Sequence, residues 1–193
     1  MKERINEVLS EQINNLENLR NSDYADNLKE IVKVIVESLK KGGKVLIAGN
    51  GGSAADSQHI SAELIGRFMK ERKAIPAIAL TTDSSILTCM GNDYGYDAIF
   101  RRQVEGLGNK GDIFIGISTS GNSKNIIEAV EEARKKGLIT IGLLGRDGGK
   151  LKELCDYDIT FPYEETARVQ EHHIMTYHMM CEFIENEMMD TNE

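Results

Sequence analysis

The chain lacks the basic excess that a nucleic-acid-binding surface requires. Its 23 Lys and Arg face 31 Asp and Glu, a formal net charge of −8 over 193 residues. A broad nucleic-acid footprint needs a basic face, so no nucleic-acid partner is expected. A local anion site stays open, because backbone dipoles and a few cations can supply one. No apolar run reaches the ~18 residues of a membrane span. The charged, amphipathic start has no apolar signal-peptide core either, so no membrane partner is expected. Cysteine is scarce and without pattern: Cys89, Cys155 and Cys181 are an odd set with no metal-type spacing. They read as reduced thiols of a cytoplasmic protein. Internal repeats, low-complexity tracts and long linkers are absent. A hydrophobic content of 40% and a charged content of 28% are ordinary for a globular protein. The length fits one domain over residues 1–193, with enough chain to bury a core.

What is present is an alternation. Apolar positions Ile5, Val8, Leu9, Ile13, Leu16 and Leu19 have helical spacing over 3–20. A second helix is predicted over about 26–41 and is stopped by Gly42-Gly43. These two form an N-terminal helical segment, residues 1–41. Strands are then predicted at 44–49, 77–81, 112–118, 138–144 and 157–161. Helices are predicted at 53–69, 85–90, 98–105, 123–136 and 166–188. The strands are short and rich in Ile and Val, which suits burial on both faces. The alternation predicts an α/β fold, a five-stranded parallel sheet covered on both sides by helices in three αβα layers. Right-handed crossovers then bring the loops that follow the strands to one edge, where ligands of such sheets bind.

Two of those loops stand out. Gly49-Asn50-Gly51-Gly52-Ser53 follows the apolar run Val45 to Ala48, and Ser118-Thr119-Ser120-Gly121-Asn122-Ser123 follows Ile113 to Ile117. Each is a predicted strand end opening into a helix. A helix N-terminus carries unpaired N–H groups and a partial positive charge, which suit a phosphate. Two such loops suggest a phosphorylated metabolite held between them. The first also satisfies the dinucleotide pattern G-x-G-x-x-A through Ala54. Against that, the next strand ends Leu80-Thr81-Thr82, and its first acid, Asp83, reads as a helix cap. Capping by Asn122 or Ser123 is the plain alternative for the second loop, but it accounts for one hydroxyl of the four.

Acid–base candidates lie on two predicted helices. His59 and Glu63 are spaced i, i+4 and share a face; spacing alone equally allows an exposed ion pair. The last helix carries Gln170, Glu171, His172, His173 and His178, with Val169, Ile174, Tyr177, Cys181 and Ile184 as its apolar set. His172 reads as solvated or structural and His173 as a packed polar side chain. His178, in a Tyr-His-Met-Met context, reads as buried, and a buried histidine has a partner.

Taken together, these stretches resemble the sugar isomerase (SIS) family, and within it the phosphoheptose isomerases. The resemblance rests on Gly49 to Ser53, Gln58-His59, Ala62-Glu63-Leu64, Gly66-Arg67, Gly91-Asn92-Asp93-Tyr94-Gly95, Gly116 to Ser123 and Arg168 through His178, in order along nearly the whole chain. It implies a single SIS domain that interconverts D-sedoheptulose 7-phosphate and D-glycero-D-manno-heptose 7-phosphate. That step leads toward the heptose of lipopolysaccharide cores or related surface glycans. By the family pattern, Glu63 and His178 are the catalytic acid–base pair. Asn50, Gly51, Gly52, Ser53, Glu63, Asn92, Asp93, Ser118, Thr119, Ser120, Ser123 and Gln170 contact the substrate. His59, Glu63, Gln170 and His178 hold zinc. The resemblance further implies a homotetramer, with the N-terminal helices and the long C-terminal helix in oligomer contacts. Gln170 and His178, eight residues apart, are separated by ~12 Å of rise and about 80° on one helix. That spread points to side chains reaching from opposite ends, or to an obligate oligomer with sites at subunit interfaces. An isomerase of another sugar phosphate, and a non-catalytic SIS module acting as a sensor or as a partner of the bacterial replication initiator, are the alternatives.

Overall fold

A computed structural model describes residues 1–189; the last four residues of the expected 1–193 domain lie outside the described residues. The order of elements is α1 (Lys2–Arg20), α2 (Tyr24–Lys40), β1 (Val45–Gly49), α3 (Gly52–Ile65), β2 (Ala77–Ala79), α4 (Ser84–Tyr94), a 3₁₀ turn (Tyr96–Ala98), α5 (Arg101–Leu107), β3 (Ile113–Ser118), α6 (Lys124–Lys136), β4 (Ile139–Gly145), α7 (Gly149–Leu154), β5 (Tyr157–Phe161) and α8 (Thr166–Met189). All five expected strands form one parallel sheet in the order β2-β1-β3-β4-β5.

Alternating strand residues build two cores, because successive side chains point to opposite faces. Val45 and Ile47 of β1 join a cluster with Ile31 and Ile35 of α2, Ile60 and Leu64 of α3, and Val169, Tyr177, Cys181 and Ile184 of α8. Leu46 and Ala48 point the other way, toward Val104 of α5, Ile126 and Val130 of α6 and Leu151 of α7. Burial on both faces explains why β1 is apolar throughout and β3 is apolar up to its last residue, Ser118. Helix α2 stops where expected: Gly42 has φ +85°, and the N–H groups of Gly42 and Gly43 close onto the carbonyls of Leu39 and Ser38. Helix α1 buries none of its residues and leaves Ile5, Leu9, Ile13 and Leu16 exposed.

Three expectations shift. The helix predicted over 53–69 ends at Ile65, capped by Gly66, and the chain turns into an irregular segment. The helix predicted over 98–105 divides into the 3₁₀ turn and α5. The short α7 was not anticipated; its N-cap Gly148 is in the left-handed region. Among the described residues, no helix is long and apolar enough to cross a membrane.

Candidate active site

The sheet reverses its winding direction between β1 and β3, the crevice in which open α/β sheets bind ligands. Gly49 at the end of β1 is the register partner of Ile117 in β3, so the loops that follow them stand side by side. In the first loop Gly51 has φ +56° and ψ −119°, a backbone conformation that side-chain-bearing residues avoid. The amides of Ser53 and Ala54 close turns onto the carbonyls of Asn50 and Gly51, leaving Gly51 and Gly52 at the open first turn of α3. A Cβ on Gly52 would lie 2.1 Å from Gln170 Nε2, so only glycine lets the amide of Gln170 come this close to the loop.

In the second loop the hydroxyls gather. Ser118 Oγ lies 2.9 Å from Ser123 Oγ and 3.5 Å from Ser120 Oγ. Ser123 occupies the N-cap position of α6 but makes no side-chain cap bond. Asn122 instead donates to the Ser120 carbonyl and accepts from the Lys150 amide. Neither residue caps α6 by side chain, so the plain alternative for this loop, a cap on the helix that follows it, fails; Asn122 instead serves the first turn of α7. Asp83 does cap α4, accepting from Ile86 N at 2.9 Å, as expected.

The acid–base candidates converge from α3 and α8, which pack against each other. His59 Nε2 lies 3.1 Å from Glu63 Oε1, and the His59 and His178 rings are 5.0 Å apart, edge to face. Tyr177, beside His178 on α8, continues the chain of contacts. Its hydroxyl lies 3.0 Å from His59 Nδ1 and 3.3 Å from Asp56 Oδ1. The other oxygen of buried Asp56 has no hydrogen-bond partner, and burial raises its carboxyl above the ordinary value against the bond from Tyr177. His178 is half-buried, not deeply buried as expected. Its pKa is held below the ordinary value by desolvation and then by His59, with Glu63 opposing. A neutral imidazole at neutral pH is thereby favoured.

The remaining expectations sort by place. Gln170 lies at the Gly52 end of α3 and His178 beside His59, so the two residues of α8 serve different turns of the same neighbouring helix. Asn92 and Asp93 are exposed near the end of α4, where Asn92 donates to Asp93 at 2.7 Å. Just past them in the chain, the Tyr96 hydroxyl donates to Asn50 Oδ1 of the first loop at 3.0 Å. Thr119 is half-buried in the second loop, and Ser53 is buried in the first turn of α3. His172 is buried, with Nδ1 2.9 Å from the Arg168 carbonyl, which makes it structural and not solvated. His173 is fully buried and contacts the Leu144 carbonyl. Asp56, Tyr177, Tyr96 and Asn125 were not anticipated; nothing in local sequence spacing marks contacts made across the fold.

For zinc, His59, Glu63 and His178 are donors of the right kind. Among the described residues, however, no group of three or more His, Cys, Asp and Glu side chains is arranged to hold a metal ion. As placed, the set does not close, and Gln170 stands apart at Gly52.

Fold and loops together define a sugar-phosphate-binding α/β domain of the SIS type, and residues 9–145 match the SIS domain family. The phosphoheptose isomerase of Aliarcobacter butzleri is 58% identical over 161 residues, which cover 83% of this chain and 85% of that protein. The solved phosphoheptose isomerase of Neisseria gonorrhoeae superposes with a TM-score of 0.89 at 42% identity, covering 96% of this chain and 98% of that one. That of Francisella tularensis gives a TM-score of 0.91 at 37% identity, over 95% and 97%. The chain belongs to the phosphoheptose isomerase family.

Proposed function

We propose that the protein interconverts D-sedoheptulose 7-phosphate and D-glycero-D-manno-heptose 7-phosphate, in the cytoplasm, as the first step of bacterial heptose synthesis. The observation that carries this reading is the meeting of Glu63, His59 and His178 in one cluster on α3 and α8, beside two loops suited to an anion. Ketose–aldose isomerisation moves a proton between neighbouring carbons through an enediol. The Glu63 carboxylate takes the proton from the carbon next to the keto group and returns it to the former carbonyl carbon. His178, held neutral, transfers protons between the two oxygens. The Ser118, Ser120 and Ser123 hydroxyls and the Gly51–Gly52 turn grip the phosphate at the far end. Binding there fixes the reacting carbons against Glu63.

Zinc at His59, Glu63, Gln170 and His178 is proposed from donor chemistry alone, and no step above depends on it. Metal analysis of the purified protein checks it. A homotetramer is likewise proposed, supported by the exposed apolar stripe of α1 and by an apolar groove of about 820 Å³ between α2 and α8 that includes Leu28, Val32 and Phe183. The deciding experiment is incubation with sedoheptulose 7-phosphate, with detection of aldose phosphate. No aldose above a protein-free control rejects the reading.

A further inference from the structure

The side chain of Asn50 is already engaged. Its Oδ1 accepts from Asn125 Nδ2 at 2.8 Å and from Tyr96 Oη at 3.0 Å. Its Nδ2 donates back to Asn125 Oδ1 at 2.9 Å. A carboxamide oxygen has two lone pairs, and both are used. One Nδ2 hydrogen is all that the side chain has left for a ligand. Asn125 is only 3% exposed, on the first turn of α6 directly after the serine-rich loop. The reciprocal amide pair therefore joins the first loop to the helix that carries the second. Tyr96, a residue 63% exposed, adds a tether from the segment after α4.

We propose that Asn125 and Tyr96 are positioning residues for the sugar phosphate. They lock the Asn50 carboxamide and so fix the spacing between the two anion-binding loops. The assignment rests on the reading that the phosphate lies between those loops. It makes Asn50 a strut between the loops that keeps one N–H for the substrate. A part-buried amide pair suits this role: each side chain donates to and accepts from the other, and any drift of one loop would leave two polar groups unpaired.

The test compares Asn125→Ala, Asn50→Ala, the double variant and Tyr96→Phe, each confirmed as folded by circular dichroism. KM and kcat are measured with sedoheptulose 7-phosphate, and binding of inorganic phosphate is measured by titration calorimetry. Asn125→Ala is expected to raise KM and to weaken phosphate binding roughly tenfold, with kcat within about twofold of wild type. Asn50→Ala should weaken phosphate binding roughly two- to threefold further, because it also removes the Tyr96 contact, and the double variant should be no worse than Asn50→Ala, because both lack the Asn50–Asn125 pair. Tyr96→Phe should weaken phosphate binding roughly two- to threefold. Losses that multiply in the double variant overturn the proposal, as does a fall in kcat at unchanged KM. Should Asn125→Ala fail to fold, unchanged phosphate affinity in Tyr96→Phe overturns it alone. If the wild-type protein turns over no sedoheptulose 7-phosphate, the reaction reading fails instead, and the phosphate titrations still decide the role of the pair.

Discussion

Glu63 and His178 reach the site from different helices, and each is placed by its neighbours. Glu63 meets His59 one turn earlier on α3, and His178 stands edge-on to the same imidazole. Substituting either tests its role without removing bulk. Glu63→Gln and His178→Gln are each expected to lower kcat by ~10²–10⁴-fold, the usual contribution of a general acid or base, with melting temperatures near wild type. Turnover close to normal in either variant would remove that residue from the chemistry. His173 makes a different prediction, about stability. Its desolvation holds the folded-state pKa down at about 4, against a bond from its ring to the Leu144 carbonyl. The unfolded chain takes up this proton near pH 6.5 and the folded one only near 4. Stability is therefore fully present above the unfolded value and is lost as pH falls toward the folded one, by about 3 kcal/mol in all. Denaturant midpoints measured from pH 8 to 4 should fall less steeply for His173→Gln than for wild type. Parallel curves would mean that the histidine is not neutral in the fold.

The segment after α3 shows how one distant side chain can decide where an element ends. Ile65, Phe68 and Met69 continue a helical apolar pattern, which is why the sequence predicts a helix to residue 69. In the structure, Glu185 of α8 accepts from the backbone N–H groups of Phe68, Met69 and Lys70 at 3.0, 2.8 and 2.9 Å. Arg72 pairs with Glu185 at 3.0 Å and donates to the carbonyls of Glu63 and Leu64, capping the turn that carries the Glu63 carboxylate. Burial works to raise the pKa of Glu185, but the three amides and Arg72 outweigh it and hold the carboxyl below its ordinary value. Removing the charge leaves Arg72 nearly buried and unpaired, so Glu185→Gln should cost about 3–5 kcal/mol of stability. A denaturant midpoint within experimental error of wild type would show the pair to be dispensable. The same contrast marks the limit of what the sequence reveals. The five strands and the two anion loops are legible because periodicity and glycine placement are local. The i, i+4 pair of His59 and Glu63 is legible for the same reason. Glu185 under residues 68–70, Asn125 against Asn50, and Tyr177 between Asp56 and His59 are contacts between residues more than 70 positions apart. No local pattern encodes them. The short α7 escaped notice because its six residues are too few to show a helical period.

At the scale of the whole molecule, the question is how many chains build one site. Gln170 and His178 are separated by ~12 Å of rise along α8, which from sequence alone allowed either side chains reaching one site from opposite ends or a site shared between subunits. The packing of α8 on α3 offers the first answer. Gln170 meets Gly52 at the start of α3, and His178 meets His59 two turns further along, all within one chain. A sugar phosphate bound at the phosphate loops and reaching Glu63 would run along this seam, with its two ends served by different turns of α8. Assembly would then bury α1 and the α2–α8 groove without lending acid–base groups to a neighbour. Mixed oligomers separate the cases. Glu63→Gln subunits are combined with His178→Gln subunits, each inactive alone, and subunit exchange is verified by differential tags. With both groups supplied by each chain, every site in the mixture carries one defect, and activity should stay at the level of the single variants. Recovery toward the fraction of wild-type sites expected from random mixing would instead mean that His178 works in the site of a neighbouring chain.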